Sequence, residues 1–290
     1  MEPLKTTVAA LHALAAARGL EIAGTSPLAA LRGAVGPAAP ATLPDELEES
    51  LYIAVAPDAL VRIRITAPGT AEEATIGVLV RDERSVRFTI DGSVVELSPP
   101  ADLEELADSL AEDAAYAGPL AGQEAYFWPS ALKLLSVLWQ ESQDPSQPIA
   151  RTAAVQRLGV AGGAADVEKA VGELVRVGLV KAEGDTLRLD PTVQPWLALV
   201  WSGHAMQVER LPLAAGASFE EAVQGTGDIL LFLGPSGQRI VSLRLTGEAM
   251  REHAQGEPSE EAIVRLLAPP PAMLRSALGL VLKLQPAPVA

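Results

Sequence analysis

The side chains that could carry catalytic or metal chemistry in this 290-residue sequence are few and scattered. Cysteine is missing, which excludes disulfides, thiolate zinc sites, iron–sulfur clusters and a cysteine nucleophile. The three histidines, His12, His204 and His253, have neither H-E-x-x-H spacing nor any other paired-ligand spacing. We therefore expect surface or packing roles for them, no metal site and no cofactor.

Paired carboxylates fall in the first turns or on the solvent-facing sides of predicted helices: Glu48/Glu49, Glu104/Glu105, Glu220/Glu221 and Glu260/Glu261. Acidic pairs are common on helix surfaces because water solvates their charges, so these residues need no role in general acid–base catalysis. The segment Gly234-Pro235-Ser236-Gly237 lies between two predicted strands and is not G-x-S-x-G, so we interpret it as a hairpin turn. Gly225-Thr226-Gly227 lacks the third glycine of a dinucleotide fingerprint, and no Walker A lysine is present. We predict that this protein is not an enzyme.

The charge balance restricts the class of partner. The chain has 22 basic and 37 acidic residues, a net charge of −15, which argues against unaided binding to nucleic acid or to an anionic membrane. Hydrophobic residues make up 49% of the sequence, too many for wholesale disorder, yet no apolar run is long enough to span a bilayer. An N-terminal alanine-rich stretch is interrupted by His12 and followed by Arg18, unlike a signal peptide. We expect a cytoplasmic protein.

The elements that would position a site are those of an α+β fold, with two α/β lobes, antiparallel sheets and a central winged-helix-like module. Residues 1–120 are predicted to form the first lobe, which contains a β-meander over 59–98. There Val61, Ile63 and Ile65 alternate with Arg62, Arg64 and Thr66, the pattern of a strand with one solvent-facing side. Residues 114–122 carry no periodicity and are interpreted as the joint between domains.

Residues 121–190 are predicted to form the central module. A helix opens at Pro129-Ser130, a short helix covers Arg151–Leu158, and Asp166–Val177 forms a third that ends at Gly178. Four residues of the third helix share its apolar face: Val167, Val171, Leu174 and Val175. A two-stranded ribbon follows around a Glu183-Gly184-Asp185 turn, and this order is typical of the winged-helix family.

Winged helices commonly bind DNA, so the polar face of the third helix was weighed against that role. It carries two acidic and two basic residues: Glu168, Lys169, Gly172, Glu173 and Arg176. Such a surface neutralises few phosphates, because phosphate contacts require several Arg, Lys, Asn or Gln side chains. A transcriptional regulator that binds DNA as a dimer is therefore the second hypothesis, behind a protein–protein interaction module.

The second lobe is assigned to residues 191–290. Met206–Leu213 alternates as a strand, Asp228–Leu233 and Arg239–Leu245 form a hairpin, and Glu260–Leu267 is predicted as a helix. Met273–Leu282 is ambiguous between helix and strand. Leu47–Ile65 and Val193–Leu211 both run helix, short gap, strand, and each precedes hairpin strands and a helix, which indicates a weak internal repeat.

The run Tyr126-Phe127-Trp128 concentrates aromatic residues in a chain that is only 4% aromatic. One interpretation is a core anchor at the domain joint, since aromatic side chains are usually buried on at least one side. The other is a docking patch for a partner, because Trp and Tyr dominate interface hot spots. Both interpretations stay open, and Tyr126, Phe127 and Trp128 are the candidate partner-binding residues.

Two segments, Leu189-Asp190-Pro191-Thr192-Val193-Gln194-Pro195-Trp196-Leu197 and Leu51 to Arg64 with its Pro57-Asp58, resemble the EspG family of type VII (ESX) secretion chaperones. The resemblance covers about a third of the chain. It implies two quasi-symmetric α/β lobes and a cytosolic protein that holds a specific secretion substrate. No substrate-binding residue can be carried over from it. The sequence thus predicts a non-enzymatic adaptor or substrate-specific chaperone whose partner is another protein of unknown identity, with the oligomeric state undetermined.

Overall fold

The computed structural model describes residues 3–31, 47–68, 73–91, 94–141, 147–159, 164–213, 216, 218–224, 227–247 and 262–283. The chain forms two compact units: Met1–Asp113, Ala205–Leu231 and Pro271–Ala290 make the first, and Ala114–His204 and Phe232–Pro270 make the second. Residues 191–290, predicted as one lobe, therefore contribute to both units. The division into 1–120, 121–190 and 191–290 as folding domains stays a prediction.

The helices are α1 (Val8–Ala17), α2 (Pro27–Ala30), α3 (Glu48–Val55), α4 (Leu103–Ala114), α5 (Pro129–Glu141), α6 (Arg151–Gly159), α7 (Ala164–Arg176), α8 (Gln194–Val200), α9 (Phe219–Val223) and α10 (Pro271–Leu282). The strands of the first half are β1 (Leu4–Thr7), β2 (Ala59–Thr66), β3 (Glu73–Arg81), β4 (Arg84–Asp91), β5 (Val94–Leu97), β6 (Ala101–Asp102) and β7 (Glu124–Phe127). Those of the second half are β8 (Ile149–Ala150), β9 (Val180–Glu183), β10 (Thr186–Leu189), β11 (Ala205–Pro212), β12 (Asp228–Leu233), β13 (Ile240–Thr246) and β14 (Ala262–Leu267).

The first unit is built on an antiparallel sheet in the order β1-β5-β4-β3-β2-β11, with β6 beside β4. Helices α1, α2 and α3 pack on it. Leu11, Leu51 and Ile53 from the helices share a core with Leu79 and Val86 from the strands. The predicted meander is therefore present in β2 to β5, although residues 92–93, between β4 and β5, lie outside the described residues.

The alternating pattern of β2 predicts that the face carrying Arg62 and Arg64 is exposed to solvent, but the structure differs at Arg62. Arg62 lies directly opposite Glu209 of β11, and the Arg62 Nη2–Glu209 Oε2 distance is 2.6 Å. Their side chains are only 18% and 4% exposed. The prediction is wrong at this position because the partner strand supplies a carboxylate that lets the guanidinium be buried.

The second unit contains the antiparallel strands β13-β14-β7 and a three-stranded sheet in the order β8-β10-β9. Both belong to one core, in which Leu134, Leu138 and Leu174 meet Trp196 and Leu266. From α5 to β10 the order is helix, strand, helix, helix, strand, strand. Assignment of this module to the winged-helix family stays a prediction.

Two details of the predicted elements need correction. The segment ending at Leu267 is a strand, β14, rather than a helix; its short apolar run includes β-branched Ile263 and Val264, and helical periodicity cannot be read from six residues. Val175, predicted on the apolar face of α7, is 37% exposed, whereas Val171 and Leu174 are buried. The ambiguous C-terminal segment is helix α10, which opens at Pro271.

The α+β class is confirmed, and the order of elements repeats along the chain. Among the described residues, α3 is followed by β2, β3, β4, β5 and α4, with the two-residue strand β6 inserted before α4. In the same part of the chain, α8 is followed by β11, β12, β13, β14 and α10, with short α9 inserted. In the first unit β1 pairs antiparallel with β5, and in the second β7 pairs antiparallel with β14. The strand that precedes each of these series, β1 or β7, thus pairs with the fourth strand of the series, β5 or β14.

Candidate partner-binding groove

A cavity of about 450 Å³ opens on the second unit between β7 and the C-terminal end of α7. We call it the β7–α7 groove. It is lined by Glu124, Ala125, Tyr126, Phe127, Trp128, Ala131, Glu173, Leu174, Arg176, Val177, Leu179 and Ile263. All three candidate residues from the aromatic run therefore contribute to one cavity, in the size range of small-ligand pockets.

The aromatic run is divided between the core and the groove. Phe127 is 4% exposed and belongs to the core of the second unit, as the core-anchor interpretation predicts. Tyr126 and Trp128, which flank it in sequence, are half-buried. Because neighbouring side chains of a strand point to opposite faces, anchoring Phe127 inside turns the Tyr126 side chain the other way. The docking interpretation for these residues stays a proposal.

Tyr126 is held by two charged neighbours. It lies opposite Arg265 of β14, whose guanidinium carbon is 5.8 Å from the centre of the Tyr126 ring. Arg265 also donates to Glu124 through Nε and Nη2, at 3.0 and 2.5 Å. Burial raises the pKa of the Tyr126 hydroxyl; the Arg265 charge lowers it, and a hydrogen bond to the Glu124 carboxylate raises it further. The phenol therefore stays neutral and can donate to that carboxylate.

Trp128 is fixed by the start of α5. Its carbonyl accepts a hydrogen bond from the Leu132 N–H at 2.8 Å, which makes Trp128 the N-cap residue. Pro129 then occupies the first helical position, where its missing N–H costs nothing. The Trp-Pro pair thus places the indole at the junction between β7 and α5, beside the groove.

The opposite wall is shaped by the end of α7. Leu179 N–H donates to Leu174 C=O at 3.0 Å and Gly178 N–H to Val175 C=O at 3.1 Å, the two hydrogen bonds of a Schellman motif. Gly178 has φ of +79°, as that motif requires, so its predicted role in ending the helix is confirmed. The motif brings Leu179 back against Leu174, and both side chains line the groove. Val177, which precedes the glycine, is 50% exposed.

Sequence reasoning missed this second wall. Glu173 and Arg176 were considered only as DNA contacts, and Val177 and Leu179 were assigned to a helix and a strand with no binding role. The Gly178-Leu179 pair after a helix was the available signal, because a Schellman glycine is regularly followed by an apolar residue that packs back on the helix.

Several of the other residues considered for chemistry make structural contacts. The His12 Nε2 atom lies 2.9 Å from the Leu28 carbonyl, and the His204 carbonyl accepts from Gly234 N–H at 3.0 Å. His253 lies outside the described residues. Glu48 and Glu49 form ion pairs with arginines, as helix-face residues can. The predicted turn at Gly234–Gly237 is present, with Gln238 N–H donating to Pro235 C=O at 3.0 Å.

The described ranges contain neither a candidate metal site nor a candidate membrane-spanning helix. In that part of the chain, no group of three or more His, Asp or Glu side chains is arranged to hold a metal ion. Nor does any helix there combine the length and apolar character needed to cross a bilayer.

Similarity to known proteins was found among solved structures but not at the level of sequence. No protein-family model matches the sequence, and no curated protein matches it either. Among solved structures, the chain is similar to the type VII secretion system chaperone EspG5 of Mycobacterium tuberculosis in complex with a PE25–PPE41 dimer. The similarity covers 98% of this chain and 97% of that chain, at 14% sequence identity and a TM-score of 0.45. That chaperone carries the name of the family that two segments of this sequence resemble.

Proposed function

We propose that this protein is a non-enzymatic protein-binding protein, an adaptor or substrate-specific chaperone, and that its client docks in the β7–α7 groove. The observation that carries the proposal is the pairing of half-buried Tyr126 and Trp128 with half-exposed Val177 in one open cavity. Aromatic and aliphatic side chains that stay accessible in a concave site are what a partner's anchor residue buries on binding.

The way in which the groove is built supports this role. Its aromatic wall is fixed by the Arg265–Glu124 ion pair and by the N-cap of α5, and its second wall by the Schellman motif after α7. Walls that are ordered before binding lose little conformational entropy when a partner docks. The solved chaperone with similar structure is bound to a PE25–PPE41 dimer, and a secretion client held in the cytoplasm is the role we propose here.

The charge of α7 argues against the second hypothesis, a DNA-binding regulator. Glu168 on α7 is already engaged by Arg151 of α6, so that arginine is not available to a phosphate. Glu173 adds a carboxylate on the same helix, and carboxylates repel the DNA backbone. Only protein binding is therefore carried forward.

The proposal is tested by quantitative affinity capture from the native host with wild-type protein and three variants. We expect Trp128→Ala and Val177→Asp to lose the same captured protein, with at least about a tenfold loss of affinity when that protein is purified and titrated. Val177→Asp is the second groove variant, needed if loss of the Trp128 side chain disturbs packing around α5. Val177 is 50% exposed, so this change should leave the fold intact. Circular dichroism and chemical unfolding check this.

The matched control is Trp201→Ala. Trp201 belongs to the same unit, is 42% exposed and does not line the groove. It should retain the client fully. A client retained by both groove variants, or lost equally with Trp201→Ala, would show that binding does not use the groove.

A further inference from the structure

Within the described residues, the Glu173 carboxylate has no partner, unlike two other carboxylates of the second unit. Glu124 is paired with Arg265 and Glu168 with Arg151. Across the described part of the chain, by contrast, no ion pair or side-chain hydrogen bond involves Glu173, although it is half-buried and lines the groove. A carboxylate that is partly withdrawn from water is stabilised when a cation approaches it, because the cation compensates for the hydration that the carboxylate has lost.

The opposite wall of the groove also suits a cation. Tyr126 and Trp128 line it, and the faces of aromatic rings attract ammonium and guanidinium groups. The aliphatic stems of Lys and Arg can lie along apolar side chains such as Val177 and Leu179 while the charged head reaches a carboxylate. Because the whole chain carries a net charge of −15, it also attracts basic segments over a longer range.

From this combination we infer that the β7–α7 groove binds an arginine or lysine side chain of the client, carried on a basic segment with apolar neighbours. The cationic head is placed at Glu173, between that carboxylate and the aromatic wall, and the apolar neighbours pack on Val177 and Leu179. This assignment rests on the proposed function, since it names the chemistry of the segment that the client presents.

Among the described residues that line the groove, Arg176 is the one cation on the same wall as Glu173. It lines the groove three residues after Glu173, and across the described residues its guanidinium has no ion pair. Substitutions of the two residues should therefore have opposite effects on the affinity for one cationic ligand. Removing Glu173 should weaken binding of a cation, and removing Arg176 should leave it unchanged or strengthen it.

The test uses three fluorescently labelled synthetic peptides that differ only in a central residue, Arg, Gln or Glu, between leucines. Fluorescence anisotropy with the full chain should show the Arg peptide binding about tenfold more tightly than the Glu peptide, with Gln between them. Glu173→Gln should reduce affinity for the Arg peptide several-fold and leave the Gln peptide unchanged. Arg176→Gln, on the same helix and wall, is the matched control and should not reduce it.

Three results would overturn the inference: tighter binding of the Glu peptide, equal loss of the Arg peptide in the Glu173 and Arg176 variants, or no binding of any peptide. Both variants keep the α7 backbone and change an exposed or half-buried side chain, so unfolding can be checked and separated from loss of charge. The proposed function is tested separately by capture through Trp128 and Val177. A client lost with Trp128→Ala while the peptides show no preference for Arg would refute only the cation assignment.

Discussion

The outward faces of α3 in the first unit and α7 in the second both carry charge, but the charges are paired differently. On α3, Glu48 is 2.8 Å from Arg18, Glu49 is 2.7 Å from Arg84, and the Tyr52 ring lies 3.7 Å beneath Arg81. Each of the three arginines comes from another element, so the face of α3 is tied to the rest of its unit. It is a structural surface.

The face of α7 changes character along its length. Near its start Glu168 pairs with Arg151 of α6, in the manner of α3. At its end Glu173 and Arg176 have no ion pair within the described residues, and Val177 beside them is 50% exposed. Charges paired within the fold contribute to its stability, whereas unpaired charges beside accessible apolar walls are available to a partner. Substitutions should therefore affect stability on one face and binding on the other.

The largest loss of stability is expected on breaking an ion pair that is also buried, as the Arg62–Glu209 pair is. Glu209→Ala removes the partner that compensates the burial of Arg62, whose side chain is 18% exposed. We expect a loss of about 3–5 kcal/mol in the free energy of unfolding, measured by denaturant titration. The double variant Arg62→Met/Glu209→Leu is the control and should recover most of the loss, since apolar residues of similar volume can replace a buried ion pair. A loss below about 1 kcal/mol for Glu209→Ala would mean that the pair is effectively solvated.

A smaller, pH-dependent effect is expected at Asp190 in the second unit. Its Oδ1 accepts from the Thr192 hydroxyl at 2.7 Å and from the Thr192 N–H at 3.0 Å, which lowers the pKa of Asp190 in the folded state. Its stabilisation is therefore present above the unfolded pKa, about 3.9, and is lost as the pH falls through the folded value. Asp190→Ala should cost about 1–2 kcal/mol at neutral pH and progressively less below about pH 4.

Denaturant titrations from pH 7 to pH 3 measure this dependence. Asp185→Ala, which removes an exposed carboxylate from the nearby turn, is the control and should change stability little. If Asp190→Ala costs as much at pH 3 as at pH 7, its contribution is packing rather than ionisation.

Arg84→Ala tests the contribution of a paired but partly exposed charge. Arg84 lies on β4 and pairs with Glu49 on the face of α3. Arg84 bonds both Glu49, at 2.7 Å, and Asp102, at 2.5 Å, and its side chain is 33% exposed. Exposed pairs contribute little singly, so we expect a loss of about 0.5–1 kcal/mol that shrinks in high salt. Arg87→Ala on the same strand is the control, because Arg87 is exposed and has no ion pair among the described residues. Equal effects of the two changes would refute a specific role for the α3 pairs.

Local patterns predicted much of the fold because single residues decide those features. The Gly178 helix end and the Gly234–Gly237 turn depend on backbone conformations that glycine adopts readily, and both were found from sequence. The β2 alternation gave the correct buried residues, Val61 and Ile63. What it could not show was the burial of Arg62, because Glu209 is 147 residues away in the chain.

The sequence predicted only one of the two walls of the groove. The aromatic run identified one wall, since three aromatics in succession are rare in this chain, but sequence gave no means of choosing which of them faces inward. The second wall depends on α7 approaching β7 through the shared core, a contact between distant segments. The helical face assigned to Val175 differs for the same reason, because the arc of a helix that is buried depends on what packs beside it.

The smallest effect on stability is expected for a Glu→Gln substitution made on each of the two helices. Glu49→Gln on α3 and Glu173→Gln on α7 are the same chemical change, so their free energies of unfolding compare the two faces directly. Glu49→Gln weakens the pair with Arg84 and should cost up to about 0.5 kcal/mol. Glu173→Gln breaks no ion pair in the described chain and removes a negative charge from the last turn of α7, where the helix dipole disfavours it. Its free energy of unfolding should stay the same or rise by a few tenths of a kcal/mol. If Glu173→Gln instead destabilises more than Glu49→Gln, then Glu173 has a structural partner, and a carboxylate so engaged would not be available to a client.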